Sequence, residues 1–139
     1  MAFTSEATNL DPADTDIISD VYVKDLASGE LTLVSTSDSG VKGNGSSFAP
    51  SLSADGSTVA FNSEATNLDP ADTDDITDIY VKDLTTGEVM LVSTSDTGVK
   101  GNGVSFRSSL SADTDGTSDV VRAERVSTSR APNVSAQDI

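Results

Sequence analysis

The sequence contains no cysteine, no histidine and no tryptophan among its 139 residues. Without Cys there is neither a disulfide nor a thiolate metal site, and without His the usual general base and the usual zinc ligand are missing. No apolar run reaches the length of a membrane span, and the N-terminus has no basic segment followed by an apolar one. We therefore expect no membrane insertion, and either a mature or excised segment or a chain that never carried a Sec-type signal.

Positive charge is scarce as well. Eight Lys and Arg oppose 23 Asp and Glu, which gives a formal net charge of −15 at pH 7. Such a charge disfavours a nucleic-acid backbone or an anionic membrane as partner and makes cations the natural counterpart. Hydrophobic residues make up 35% of the chain and aromatic residues 4%, so the length suffices for one domain with a modest core.

An internal repeat organises what is present. Residues 2–55 align with residues 60–113 at a constant offset of 58 without a gap, and 42 of the 54 aligned positions are identical. Such similarity means two copies of one supersecondary unit.

Period-two alternation and turn residues predict four short strands in each unit and no helix. In the complete copy these strands are Phe48 to Ser53, Thr58 to Asn62, Ile79 to Leu84 and Glu88 to Thr94. An Asp-Gly turn joins the first two strands, and a long acidic loop joins the second and third.

The phase of the repeat divides the chain. It begins at a second strand, Ala2 to Thr4, and its last clear strand is a first strand, Phe106 to Ser111. We predict a partial unit with strands two to four over 1–47, a complete unit over 48–104, and over 105–139 the first strand of a third unit with a degenerate tail. The tail from Arg122 to Ile139 has little periodicity, so we expect it to be irregular or to order only on a partner.

A set of linked motifs carries a family resemblance. They are Ser51-Leu52-Ser53-Ala54-Asp55-Gly56, Val59-Ala60-Phe61, Ala65-Thr66-Asn67-Leu68, Asp72-Thr73-Asp74, Asp78-Ile79-Tyr80-Val81-Lys82-Asp83-Leu84 and Thr86-Gly87. Over roughly residues 2 to 112 the chain resembles the WD-like repeats of TolB-type β-propellers of bacterial exported proteins. The resemblance implies an all-β fold of four-stranded antiparallel β-propeller blades, one per 58-residue repeat. It also implies an extracellular, cell-surface or periplasmic address and a scaffold or binding role rather than catalysis. Closed propellers have about four to eight blades, so we expect an incomplete propeller completed by neighbouring copies.

The acidic loop carries carboxylates at relative positions one, three and seven in each copy. These are Asp14, Asp16, Asp20, Asp72, Asp74, Asp78, Asp113, Asp115 and Asp119. Oxygen ligands without His or Cys suit Ca²⁺, and three carboxylates held together need a counterion, so we predict Ca²⁺ as the cofactor. The alternative is a solvated loop of Asx turns.

Three further features have competing interpretations. The Gly-rich segments, Gly40 to Gly45 and Gly98 to Gly103, lack the Gly-Lys-Ser/Thr of a phosphate loop and predict inter-blade turns with positive φ. Tyr and Lys on the third strands are candidates for a carbohydrate- or peptide-binding ladder; they are Tyr22, Lys24, Tyr80 and Lys82. The alternative is that the two tyrosines pack against the neighbouring blade. Polar residues upstream in the acidic loop either complete the metal shell or have surface or capping roles, of which we favour the second; they are Glu6, Asn9, Asp11, Glu64, Asn67 and Asp69.

The repetition of the acidic groups disfavours an enzyme, because an active site is one asymmetric pocket and a nucleophilic Ser lacks a His base here. We predict no catalytic residue. The predicted function is a non-enzymatic, calcium-stabilised extracellular structural module that self-assembles head to tail by blade completion into a ring or filament. One alternative is a fragment of a longer TolB-like scaffold that binds a protein or glycan. Another is an exported hydrolase or its accessory domain.

Overall fold

The structure is a computed structural model that describes residues 1–111 and 120–125, with side chains for residues 1–110. The described residues form nine strands and no helix. The strands are β1 Ala2–Ser5, β2 Asp20–Lys24, β3 Leu31–Leu33, β4 Ser47–Leu52, β5 Thr58–Ser63, β6 Asp78–Asp83, β7 Val89–Leu91, β8 Ser105–Ser111 and β9 Val120–Arg125. The predicted all-β, antiparallel fold is confirmed.

The complete unit forms one four-stranded antiparallel sheet with the order β4-β5-β6-β7, which we call blade 2. The first two strands turn at Gly56, whose φ of 76° is open to glycine, while the carboxylate of Asp55 accepts the backbone N–H of Ser57 at 3.0 Å. Strands one to three fall within one residue of their predicted ends. The fourth is shorter than predicted, because the chain leaves the sheet after Leu91.

The partial unit forms a three-stranded sheet with the order β1-β2-β3, which we call blade 1. Its strands are the repeat equivalents of β5, β6 and β7, and its aromatic pair repeats as well. Phe3 stacks on Tyr22 with ring centroids 5.7 Å apart, and Phe61 stacks on Tyr80 at 5.9 Å. Within the described residues no strand lies beside β1 where β4 lies in blade 2, so β1 is an edge strand.

The third unit consists of β8 and β9. β8 has the bulge of its equivalent β4, with φ of 65° at Arg107 and 54° at Ala49. β9 pairs with β8 in the register that β5 has with β4, since Leu110 opposes Val121 as Leu52 opposes Val59. The expectation of an irregular tail is wrong for residues 122 to 125, whose backbone pairs with β8. The strand was missed because its apolar–polar alternation is short and runs only from Val121 to Glu124.

One apolar core joins blades 1 and 2. Its buried members are Val21, Val34, Val59, Phe61, Ala65, Leu68, Tyr80, Val89 and Leu91. The connection between the blades passes close to blade 2: a Cβ at Gly45 would lie 2.8 Å from the carbonyl oxygen of Glu64. The predicted positive φ is confirmed at Gly40 and Gly98, at 85° and 86°. No helix in the described ranges could cross a bilayer.

Candidate metal centre: two aspartate clusters around a lysine

The acidic loop of blade 1 runs from β1 to β2 and folds back on itself. The backbone N–H of Asp14 donates to the carbonyl of Asp11 at 3.0 Å, and the carboxylate of Asp16 accepts the N–H of Ile18 at 2.9 Å. Asp20 follows as the first residue of β2. The Asx-turn interpretation thus holds at Asp16, and the same turns bring the three carboxylates together.

The predicted carboxylates converge in both described copies. Ligand oxygens of Asp14, Asp16 and Asp20 lie within 4.8 Å of one another, and so do those of the second set, Asp72, Asp74 and Asp78. The first and last members of each set are buried, whereas the side chains of the middle members, Asp16 and Asp74, are 45% and 43% exposed. Each set could hold a metal ion. The third predicted set, Asp113, Asp115 and Asp119, lies outside the described residues.

A lysine ammonium lies among the three carboxylates of each cluster. Lys42 Nζ is 2.8 Å from Asp20 Oδ2, 3.0 Å from Asp16 Oδ2 and 3.9 Å from Asp14 Oδ1. Lys100 Nζ repeats this arrangement at 2.8, 3.1 and 3.9 Å from the carboxylates of the second cluster. We call the two groups the first and second Asp-Lys clusters. The structure therefore supplies the counterion that the sequence analysis sought in a metal.

Sequence reasoning missed both lysines, because they lie in the Gly-rich connections and 26 residues after Asp16 and Asp74. A signal was present nonetheless. The chain has only eight basic residues, yet both repeats carry a lysine at the same position of the Gly-rich connection, Lys42 and Lys100. A solvated turn has no need of a cation, so the repeated lysine indicated a specific partner.

Neutral hydroxyls complete the clusters. Tyr22 Oη donates to Asp14 Oδ2 at 2.5 Å, and Ser35 Oγ donates to Asp20 Oδ1 at 2.7 Å. In blade 2, Tyr80 donates to Asp72 and Ser93 to Asp78. Since both tyrosines are buried, they form no exposed ligand-binding ladder.

Two buried oxygens of the first cluster lack a hydrogen bond. They are Asp14 Oδ1 and Asp20 Oδ2. The second lies 2.8 Å from the ammonium of Lys42, so this contact is an ion pair whose geometry does not suit a hydrogen bond. Three carboxylates around one ammonium leave the cluster formally negative, and a cation is what it would attract.

The pKa shifts follow from burial and from these contacts. Burial raises the pKa of Asp20 against the lowering effect of Lys42 and Ser35, and burial also raises the pKa of Asp72. Burial lowers the pKa of Lys42, but its close contacts with the carboxylates of Asp20 and Asp16 outweigh this effect and raise the pKa overall. Lys100 behaves in the same way with Asp78 and Asp74. Both ammonium groups are therefore charged at neutral pH.

The pKa values of the tyrosines are raised, as those of the two lysines are. Burial, together with the hydrogen bond to a carboxylate, raises the pKa of Tyr22 and of Tyr80. Each tyrosine therefore stays a neutral donor, and neither is poised to act as a base.

A second set of polar contacts joins the two blades. Lys82 is buried, and its Nζ donates to Thr36 O at 3.1 Å, to Thr36 Oγ1 at 2.9 Å and to Ser37 O at 3.2 Å. Asp38 Oδ1 accepts the backbone N–H of Val89 at 2.7 Å. Lys82 on the third strand of blade 2 thus contacts the neighbouring blade through three hydrogen bonds.

Asn44 in the connection makes further contacts at this interface. Its amide donates to Thr66 Oγ1 at 3.0 Å and accepts the N–H of Thr66 at 2.8 Å, and its backbone N–H donates to Asn67 Oδ1 at 3.0 Å. Asn67 also donates to the carbonyl of Lys42 at 2.9 Å. Asn67, predicted to have a surface or capping role, bridges the blades instead of completing the acidic cluster.

No protein-family model matches the chain, and no curated protein matches it either. Among solved structures, the chain is similar to TolB from Acinetobacter baumannii, with 21% sequence identity and a TM-score of 0.42. The match covers 84% of this chain and 26% of that one, so the chain spans about a quarter of the length of TolB.

Proposed function

We propose that the protein is a non-enzymatic, extracellular structural module whose propeller-type blades assemble head to tail by blade completion. The observation that carries this proposal is the difference between the two sheets. Blade 2 has four strands, whereas in the described residues blade 1 has the equivalents of only three, with β1 at its edge. An edge strand offers unpaired backbone groups to another strand.

The strand that fits this edge exists in the same sequence. β8 is the repeat equivalent of β4 and has its bulge, so β8 of one copy beside β1 of the next would give the order of blade 2. Such a contact is heterologous and builds a ring or a filament, with about six to eight blades in a ring of three or four copies. Because β9 already pairs with β8, completion requires β9 to leave that edge.

We propose Ca²⁺ as the ion of the Asp-Lys clusters. Ca²⁺ takes six to eight oxygens at about 2.3–2.6 Å, and carboxylates, hydroxyls and water provide such a set. Asp14 Oδ1 and Asp20 Oδ2 support the proposal, because they accept no hydrogen bond and lie around the position that the ammonium of Lys42 occupies. Ca²⁺ would replace the ammonium of Lys42 rather than add to it, because the two cations would share three carboxylates.

The clusters support a structural role in preference to catalysis. They repeat in equivalent surroundings, and their carboxylates are held by Lys, Ser and Tyr of the same unit. A catalytic carboxylate needs an environment that differs from that of its partner, which duplication does not supply.

Native mass tests the assembly. Size-exclusion chromatography with light scattering, over a dilution series and with Ca²⁺ or EDTA, is expected to give multiples of the chain mass that fall on dilution and on chelation. A monomer at every concentration, indifferent to chelator, contradicts the proposal.

Thermal unfolding tests the ion. We compare the wild type with Lys42→Gln/Lys100→Gln, each in CaCl₂ and in MgCl₂. Ca²⁺ is expected to stabilise both proteins, by about 2.7 kcal/mol for each occupied cluster at a hundredfold excess over its Kd. The variant should respond at a lower Ca²⁺ concentration, because no ammonium competes for its carboxylates. If Ca²⁺ stabilises neither protein, the lysines are the only cations of the clusters.

The second candidate function is a segment of a longer scaffold that binds a protein or glycan. A groove at the junction of the blades favours it; its lining combines polar and apolar residues and includes Ser37, Asp38, Val41, Leu68 and Pro70. In that case the isolated chain should unfold without cooperativity and bind its ligand only within the parent protein. A cooperative thermal transition of the isolated chain counts against this function.

A further inference from the structure

The contact between blades 1 and 2 has two sides, and each side has a second copy in the sequence. We call the side on blade 2 the receiving face: Ala65, Thr66, Asn67, Leu68, Lys82 and Val89. We call the side on blade 1 and its connection the donating face: Thr36, Ser37, Asp38, Gly43 and Asn44.

The second copy of the receiving face belongs to blade 1: Ala7, Thr8, Asn9, Leu10, Lys24 and Leu31. The second copy of the donating face belongs to blade 2 and its connection: Thr94, Ser95, Asp96, Gly101 and Asn102. Only one position differs between the copies, where Leu31 replaces Val89. The chain therefore presents one more receiving face and one more donating face than its internal contact uses.

These second copies lack their partners in the described part of the chain. Leu68 is 3% exposed, whereas its equivalent Leu10 is 37% exposed, and Lys24 is only half-buried. Neither the ammonium of Lys24 nor the carboxylate of Asp96 has a hydrogen bond or ion pair there, whereas Lys82 donates three hydrogen bonds and Asp38 accepts one. Within residues 1–111 and 120–125 the two faces are thus complete in sequence and have no partner.

We infer that the partner of these faces is a second copy of this chain, docked so that it repeats the internal contact between blades 1 and 2. Lys24 of one copy then donates to the Thr94 and Ser95 carbonyls of the other, as Lys82 does to Thr36 and Ser37. The carboxylate of Asp96 accepts the N–H of Leu31. The inference rests on the proposed function and specifies its interface.

The asparagine contacts follow by the same equivalence. Asn102 of the donating copy pairs with Thr8 and Asn9 of the receiving copy, as Asn44 pairs with Thr66 and Asn67. The charges also match, because a positive receiving face meets a negative donating face through Lys24 and Asp96. Leu10, on the same face, would lose its exposure to water in the contact.

The docking is compatible with blade completion. The first residue of β8 donates its N–H to Thr77 O at 2.9 Å, as the first residue of β4, Ser47, donates to Ser19 O at 2.8 Å. β8 therefore lies against blade 2 as β4 lies against blade 1. A blade 1 docked on the donating face of blade 2 would bring its β1 to the edge of β8, and the two strands would pair once β9 has left that edge.

Cross-linking tests the inference, and the absence of Cys makes every introduced thiol unambiguous. The test variant is Thr8→Cys/Asn102→Cys. Its matched control is Asn44→Cys/Thr66→Cys, which places thiols at the internal contact, where the two side chains are 3.0 Å apart. Each full-length variant is treated with a short bis-maleimide at assembling concentration and run on a denaturing gel, beside the single variant Thr8→Cys.

The test variant is expected to give a ladder of covalent dimers and larger species, whereas the control gives only internally linked monomer. The single variant should give at least tenfold less dimer than the test variant. If light scattering shows assembly but the test variant gives no ladder, the copies meet through another surface: the inference falls and the proposed function stands. If the wild type is a monomer throughout, both fall. Equal ladders from the test and single variants also overturn the inference, since they report collision.

Discussion

Blades 1 and 2 contain the same residues in different surroundings. Leu68 and Lys82 are 3% and 5% exposed, while their equivalents Leu10 and Lys24 are 37% exposed and half-buried. Sequence cannot cause this difference, because 42 of 54 aligned positions are identical. The burial of a residue on a blade's face is decided by the neighbouring blade.

The Asp-Lys clusters behave in the opposite way. Their ion pairs agree between the blades, at 2.8 Å for both Lys42–Asp20 and Lys100–Asp78. Every member of a cluster comes from a single 58-residue unit, so each unit builds the cluster without its neighbour. Contacts inside a unit repeat, and contacts between units depend on what lies next to them.

The largest expected effect on stability comes from the Asp-Lys clusters, which both blades contain. Lys42→Met and Lys100→Met each leave buried carboxylates without their cation, which costs about 3–5 kcal/mol of unfolding free energy. Urea unfolding followed by circular dichroism measures it, and the two losses should agree within the error of extrapolation. A loss at Lys42 and none at Lys100 would break the equivalence of the clusters.

The next effect separates the blades. In dilute protein Leu68→Ala removes a buried side chain and is expected to cost about 2–5 kcal/mol. Leu10→Ala at the equivalent exposed position should cost less than about 1 kcal/mol. The same unfolding experiment compares the two variants. At protein concentrations that favour assembly, the difference between their losses of unfolding free energy should become smaller, because Leu10 is then buried. Equal costs in dilute protein would contradict the open face on blade 1.

Polar contacts allow a finer comparison. Lys82→Met removes three hydrogen bonds from a charged donor, with an expected cost of about 1.5–3 kcal/mol, while the Met side chain keeps the apolar stem. Lys24→Met should change the stability of the dilute chain by no more than about 0.5 kcal/mol. Chemical unfolding of both variants beside the wild type gives the difference. A large loss at Lys24 in dilute protein would show that its ammonium is engaged within the chain.

The smallest effect concerns alkaline pH. The pKa values of Lys42, Lys100, Tyr22 and Tyr80 are raised in the folded chain. Their contribution to stability is complete below the unfolded values, about 10 to 10.4, and is lost as the pH rises through the folded ones. Unfolding free energy should therefore fall above about pH 10, and less steeply in Lys42→Met/Lys100→Met. Lys82, whose pKa burial lowers, acts in the opposite direction. An unchanged slope in the double variant would contradict the role of the lysines.

The strands, the turns and the phase of the repeat could be predicted from the sequence, because each depends on residues that are close together in the chain. Alternation such as Val59 and Phe61 sets a strand, and Asp55-Gly56 sets the turn before it. The convergence of Asp14, Asp16 and Asp20 also followed from spacing within one loop. Lys42 did not, because the chain returns to that loop only after two further strands. The pairing of β9 was missed because the alternation in its own sequence is short and its register is set by β8.

The self-sufficiency of each Asp-Lys cluster also bears on how such a gene can change. Recombination that copies or deletes one whole 58-residue unit moves Asp72, Asp74, Asp78 and Lys100 as a single block. No carboxylate is then separated from its ammonium, and every remaining unit keeps the same set of buried charges. The number of units can therefore change during evolution without passing through a protein in which a buried carboxylate lacks its lysine.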